Sequence, residues 1–194
     1  GEVDVLKTIQ LIPGVKSAGD GNSGFYVRGG GPDQNLILLD EAPVYNASHV
    51  LGFFSVFNGD EIKDINLIKG GIPAEYGGRL SSVLDIKMND GNVKRFGATG
   101  GIGLISSRLT LEGPIVKDKG SFMLSGRRTY ADLFLKLAPD KDLRGKQLYF
   151  YDLNAKASYM INDKNRIFFS GYYGRDKLKF DKNFGMDWGN MTGT

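Results

Sequence analysis

At 194 residues the chain is long enough for one domain, or for a small domain and part of another, and with 41% hydrophobic and 24% charged residues disorder is not expected. A formal net charge of +3 without clustered Lys or Arg gives no case for a nucleic-acid partner, and zero cysteine excludes disulfides and thiolate chemistry. No run approaches the ~18 apolar residues of a membrane helix, which leaves open half-polar membrane strands of ~10 residues.

In chain order, Gly1-Glu2-Val3-Asp4 does not read as a signal peptide, as in a processed or truncated chain. Val3 to Ile12 places Val5, Leu6, Ile9 and Ile12 near one helical face, and Pro13-Gly14 stops the helix. Ser17 to Ser23 is polar and glycine-rich, hence a loop. Phe25-Tyr26-Val27-Arg28 reads as a strand, and Leu36 to Asp40 as a buried one, turned by Glu41-Ala42-Pro43. Between them, Gly29 to Gly31 lacks the Gly-Lys-Ser/Thr of a phosphate loop and is expected to be a structural turn. From Asn46 to Asn58 the spacing of Phe53 and Phe57 predicts a short helical turn that buries both rings. His49, the single histidine, has no carboxylate cluster beside it and is expected to be packed or on the surface, not a metal ligand. Glu61 and Asp64 near Lys63 read as a solvated helix end.

Asp64–Lys69 and Ser82–Met88 are two period-2 runs joined by a Gly/Pro-rich turn that holds Glu75 and Tyr76. On residues alone this is a β-turn-β unit. The wording Ile-Lys-Gly-Gly-Ile-Pro-Ala-Glu-Tyr-Gly-Gly-Arg-Leu-Ser-Ser-Val-Leu-Asp-Ile, from Ile68 to Ile86, resembles the end of the plug domain of TonB-dependent outer-membrane receptors. Leu11-Ile12-Pro13-Gly14-Val15, Phe25 to Gly29 and Leu36 to Pro43 are similar to earlier plug segments in the same order. Gly77-Gly78-Arg79-Leu80-Ser81-Ser82 looks like receptors of Bacteroidetes-type bacteria.

Beyond Asn89-Asp90-Gly91-Asn92 the runs alternate strictly. Phe96, Ala98 and Ile102 oppose Arg95, Thr99 and Gly101, with a hairpin at Gly103-Leu104. Ile105, Leu109 and Leu111 oppose Ser106, Arg108 and Thr110, and a turn is expected from Gly113 to Gly120. Phe122, Leu124 and Gly126 oppose Met123, Ser125, Arg127 and Thr129. Tyr149, Tyr151, Leu153, Ala155, Ala157, Tyr159 and Ile161 oppose Asp152, Asn154, Lys156 and Ser158, and Asn162 to Asn165 is a hairpin turn. Ile167, Phe169 and Tyr173 follow, alternating with Arg166, Ser170 and Asp176. The pattern fits transmembrane β-strands with short turns at 116–120 and 162–165 and long loops at 135–147 and from Asp181. One face of a soluble antiparallel sandwich is the alternative reading of the residues.

The expected fold is thus an α+β plug domain over residues 1–90, followed over 91–194 by the first antiparallel strands of an incomplete transmembrane β-barrel. About five predicted strands cannot close a barrel, and open edges in hydrocarbon are costly. A truncation or fragment is therefore expected, with no TonB box before Gly1 and an end inside an extracellular loop. No catalytic set, metal cluster or cofactor motif is visible. The resemblance implies energy-coupled uptake across the Gram-negative outer membrane. TonB would act through a segment upstream, the external ligand is unspecified, and a SusC-like member would add a SusD-like lipoprotein. Arg28, Glu75 and Arg79 are then expected as plug–barrel polar contacts, the two arginines making buried or half-buried charge-assisted hydrogen bonds. Gly30, Asp33, Gln34, Asn35, Tyr45 and Asn46 are expected at ligand-facing apices of the plug. A soluble or surface β-rich binding module is the non-transport alternative.

Overall fold

A computed structural model describes residues 4–19, 22–137, 139, 144, 146–180 and 184–194. The chain divides into two compact units: residues 1–89 with 192–194, and residues 90–191.

In the first unit a single turn of helix, α1 (Val5–Ile9), buries Val5, Leu6 and Ile9. Asp4 caps it, with one carboxylate oxygen accepting the Lys7 N–H at 3.2 Å and the other accepting the Ser55 N–H at 2.8 Å. The helix is shorter than the apolar spacing predicts, and Ile12 lies outside it, exposed. Strands β1 (Val15–Ser17) and β2 (Phe25–Val27) pair antiparallel. The main sheet has the order β4-β3-β8-β7, from β3 (Asn35–Leu39), β4 (Ala42–Pro43), β7 (Ile62–Ile68) and β8 (Ser82–Met88). Its centre is the parallel pair β3 and β8, which sets Leu36 beside Val83 and Leu39 beside Ile86. Val83, Leu84, Ile86 and Met88 are all buried, as a central strand covered on both faces requires. Asp40 and Glu41 form the two-residue link from β3 to β4 with φ of 47° and 74°. That left-handed pair is the geometry of a type I′ hairpin, built here without the usual glycine.

Two expectations fail in this unit. Residues 46–58 form no helix that buries both rings. Strands β5 (Ser48–His49) and β6 (Phe54–Ser55) pair there, linked by a short 3₁₀ turn with Leu51 at φ 58°. Phe57 is 3% exposed and Phe53 is 54% exposed, because a hairpin points them in different directions. Glu61 is not solvated either: it ends a 3₁₀ turn, buried, and accepts the Asn58 side-chain amide at 2.8 Å. His49 is packed in the interior.

The second unit is one antiparallel sheet in chain order. Its strands are β9 (Gly97–Ile102), β10 (Ser106–Val116), β11 (Gly120–Thr129), β12 (Gln147–Asn162), β13 (Asn165–Lys179) and β14 (Gly185–Gly193). β10 runs on through Pro114, where the register shifts, so the turn shrinks to residues 117–119. A proline at a bulge leaves no ladder hydrogen bond unmade. β12 and β13 span 16 and 15 residues, longer than the ~10 that a bilayer crossing needs. The expected loop at 135–147 opens with helix α2 (Ala131–Leu137), and part of the rest lies outside the described residues. The expected terminal loop from Asp181 is largely strand β14.

Alternation along these strands sorts the side chains by polarity, in reverse of a water-soluble sheet. Ser125, Arg127, Asp152, Asn154, Lys156 and Ser158 are buried. Leu109, Leu111, Phe169 and Tyr173 are exposed, and Leu153 is 53% exposed. Among the described residues no helix is long and apolar enough to cross a membrane, which says nothing about crossing by strands.

Candidate functional site

In the first unit, three connections gather beside the parallel pair: residues 28–34, residues 40–47 and the long return 69–81 between β7 and β8. Asn35 ties them together. Its amide donates to the Phe25 carbonyl at 2.8 Å and its oxygen accepts the Ser82 hydroxyl at 2.7 Å. With both ends of its side chain engaged and buried, Asn35 presents nothing to a ligand.

Two grooves flank this point. One, of about 510 Å³, is bordered by Gly30, Gln34, Arg28, Lys69 and Ser81. Ser81 fixes its floor by donating to the Val27 carbonyl at 2.8 Å, and the Ser81 N–H reaches the Gln34 carbonyl at 3.0 Å. A side chain at Gly30 would collide with Ser81, so only glycine lets the two segments close up. The other groove, of about 380 Å³, brings Asp33 and Tyr45 together with Arg79. Tyr45 is exposed there, while Asn46 turns its side chain back onto the Ser48 N–H at 3.4 Å. Of the apical residues named from sequence, Gly30 and Gln34 line one hollow and Asp33 and Tyr45 the other, while Asn35 is turned inward and Asn46 lines neither of the two.

Arg28, Glu75 and Arg79 are all exposed on this unit. Among the described residues neither guanidinium makes a hydrogen bond, so the charge-assisted bonds expected for the two arginines are not formed within the unit. The Arg28 guanidinium instead lies over Gly70, where a Cβ would meet it at 2.6 Å. Arg28 itself has φ of 50°, a conformation rare for a residue with a side chain.

The second unit carries a polar cluster on its buried face that sequence spacing did not assemble. Arg127 on β11 and Asp152 on β12 are cross-strand partners, and Nε donates to the carboxylate at 2.7 Å. Both side chains are almost fully buried, at 3% and 1% exposed. Tyr172 on β13 donates its hydroxyl to the other Asp152 oxygen at 2.8 Å. It reaches across because Gly174, opposite Asp152 in register, leaves the space for its ring. Further along, Asp90 accepts Lys156 at 3.1 Å and Arg166 at 2.7 Å. Thr110 with Ser125, and Ser121 with Ser158, continue the polar row at 2.9 and 3.1 Å. The signal that could have found this was the alternation of polar residues on β11 and β12; what it lacked was the strand register, which decides which charges meet.

The sequence over residues 1–82 matches the family model described as "TonB-dependent Receptor Plug Domain". Residues 1–82 are thus similar to the plug domain of TonB-dependent receptors. No curated protein matches the sequence. Among solved structures, the chain is similar to the siderophore receptor PirA from Acinetobacter baumannii, at TM-score 0.62 and 19% identity over 92% of this chain and 30% of that one. It is similar to PirA from Pseudomonas aeruginosa at TM-score 0.62 and 20% identity, over 92% of this chain and 32% of the other. A variant of the ferric enterobactin receptor PfeA from Pseudomonas aeruginosa, bound to enterobactin, gives TM-score 0.62 and 19% identity over 90% and 31%. The chain therefore spans about a third of the length of these receptors. The residues after this match form the antiparallel strands β9 to β14, paired in chain order.

Proposed function

We propose that this plug gates TonB-coupled uptake of an external ligand through the barrel that its own chain begins to build. The observation that carries the reading is the pattern of polarity in the strands that follow the plug in sequence: a charged, hydrogen-bonded row from Arg127 to Lys156 on one face and exposed leucines such as Leu109 and Leu153 on the other. A polar lumen wall suits a stopper that must be held and yet released, because polar contacts can be exchanged for water. Arg28, Glu75 and Arg79 would make such contacts, and their exposure on the first unit supports this. Asp33 and Tyr45 in one groove and Gly30 and Gln34 in the other, with Asn46 beyond them, offer the floor of a ligand site. TonB would pull on a segment N-terminal to the plug.

A ferric siderophore is the first ligand to try, since the structural neighbours carry that description. The Gly77 to Ser82 wording supports a Bacteroidetes-type receptor, and a SusC-like one would take a SusD-like surface lipoprotein as partner. Co-purification of a lipoprotein with the full-length receptor tests that subtype. For the function itself, cells that express the full-length receptor are given siderophore-bound radioactive iron, oligosaccharide or cobalamin, with and without TonB. One of these accumulates only when TonB is present, and changing Arg28 and Arg79 together to Ala admits large antibiotics that the wild type excludes. Uptake that proceeds equally without TonB rejects the proposal.

A further inference from the structure

We infer that Asp90 moors the chain to the buried polar face of the strands, so that a pull on the segment before it stops there and leaves residues 90–96 in place. This deepens the reading of TonB-driven opening, on which its use depends, by naming the point where extraction of the chain ends.

Asp90 opens the second unit, and residues 90–96 precede β9 without belonging to any strand. A segment with no ladder hydrogen bonds is the first to peel away under load. Here other contacts hold it. One Asp90 carboxylate oxygen meets Lys156 of β12 at 3.1 Å and Arg166 of β13 at 2.7 Å. The Asp90 carbonyl accepts the Ser121 hydroxyl of β11. A single residue is thus fastened to three successive strands. The Lys156 side chain is 5% exposed, with the Phe168 ring 5.1 Å from its ammonium. Drawing Asp90 away would leave that buried ammonium without this carboxylate, which is the costly way to break a buried pair.

The residues that follow extend the attachment. Gly91 has φ of 78°, and a Cβ there would run into the Phe122 carbonyl, so only glycine lets the segment lie this close to β11. The Asn92 side-chain oxygen accepts the N–H groups of Lys94 and Arg95 at 2.9 and 3.2 Å, closing a turn. The Val93 carbonyl accepts the Asp118 N–H, from the link between β10 and β11, at 2.9 Å.

The test is force spectroscopy on the full-length receptor in lipid, pulled through a thiol handle introduced by Leu11→Cys at an exposed position. The wild type gives a separate force peak after the first unit has unfolded. About 25 Å of slack follows before β9 resists, the extended length of residues 90–96. Asp90→Asn loses that peak, and the chain runs out to β9 without pause. Gly91→Ala, which displaces the segment and removes no charge, lowers the peak as well. Folding of the strands is checked by heat-dependent migration on SDS gels. Where Asp90→Asn does not fold, Asp90→Asn with Lys156→Met, which strands no cation, replaces it. A wild type without the peak, or an undiminished peak in the folded Asp90 variant, overturns the mooring. The instrument supplies the pull, so uptake that proceeds without TonB would reject the proposed function and leave this result standing.

Discussion

At the scale of single residues, the Arg127–Asp152 pair is the most consequential contact in the strands. Both side chains are buried, so each was stripped of water and is stabilised by the other, by Tyr172 and by the Phe150 ring 5.1 Å from the Arg127 guanidinium. Removing one partner is therefore far worse than removing both. Asp152→Asn should cost about 3–5 kcal/mol in denaturant unfolding of the reconstituted receptor, whereas Arg127→Met with Asp152→Leu should cost much less. A single variant as stable as wild type would show that water reaches the pair. The sequence reveals that Asp152 and Arg127 both belong to the polar side of their strands. It does not reveal that they meet, because one residue of slippage between β11 and β12 would pair Arg127 with a different partner and nothing local fixes that register. Asn35 is the opposite case. Its place after a turn marks it as an apex residue, yet the parallel neighbour Ser82, forty-seven positions away, draws its side chain inside.

At the scale of elements, period-2 alternation is legible wherever a strand separates two unlike environments. That is why β10 to β13 stand in the sequence nearly as they stand in the structure. Residues 46–58 were not legible for a related reason. Phe53 and Phe57 satisfy a helical spacing, but Val50 and Leu51 take φ of 51° and 58°, which only the surrounding tertiary contacts could impose. Strand β14 was missed because Gly185 to Gly193 is glycine-rich and weakly patterned, so it gains its order mainly from pairing with β13. The outer face gives an element-level prediction. Leu124 lies in the row with Leu111 and Ala155 and points away from the polar cluster. Leu124→Arg should destabilise the barrel by about 2–4 kcal/mol in lipid, as charge on the hydrocarbon face does. In a soluble sheet the same exposed substitution would be nearly neutral, so urea titrations in liposomes separate the two.

At the scale of the whole molecule, two units of different physics share one chain. The plug buries its apolar residues around β3 and β8 as a water-soluble domain does, while the strands after Asp90 bury Arg127, Asp152, Asn154 and Lys156 beside Met123, Phe150 and Leu178 and expose Leu109, Leu111 and Leu153. That second pattern suits strands that face lipid on one side, and it needs no apolar helix among the described residues. The central claim is this inversion, and site-directed spin labelling tests it most directly. The stretch has no cysteine, so a single one introduced into it is unique within it. Labels at Leu109, Leu124 and Leu153 are compared with labels at Thr110, Ser125 and Asn154 in the full-length receptor reconstituted in lipid. The account predicts that dissolved oxygen relaxes the first three strongly while a water-soluble nickel complex does not, and that the second three are shielded from the oxygen-rich bilayer. Equal exposure of Leu109, Leu124 and Leu153 to the aqueous reagent would contradict it.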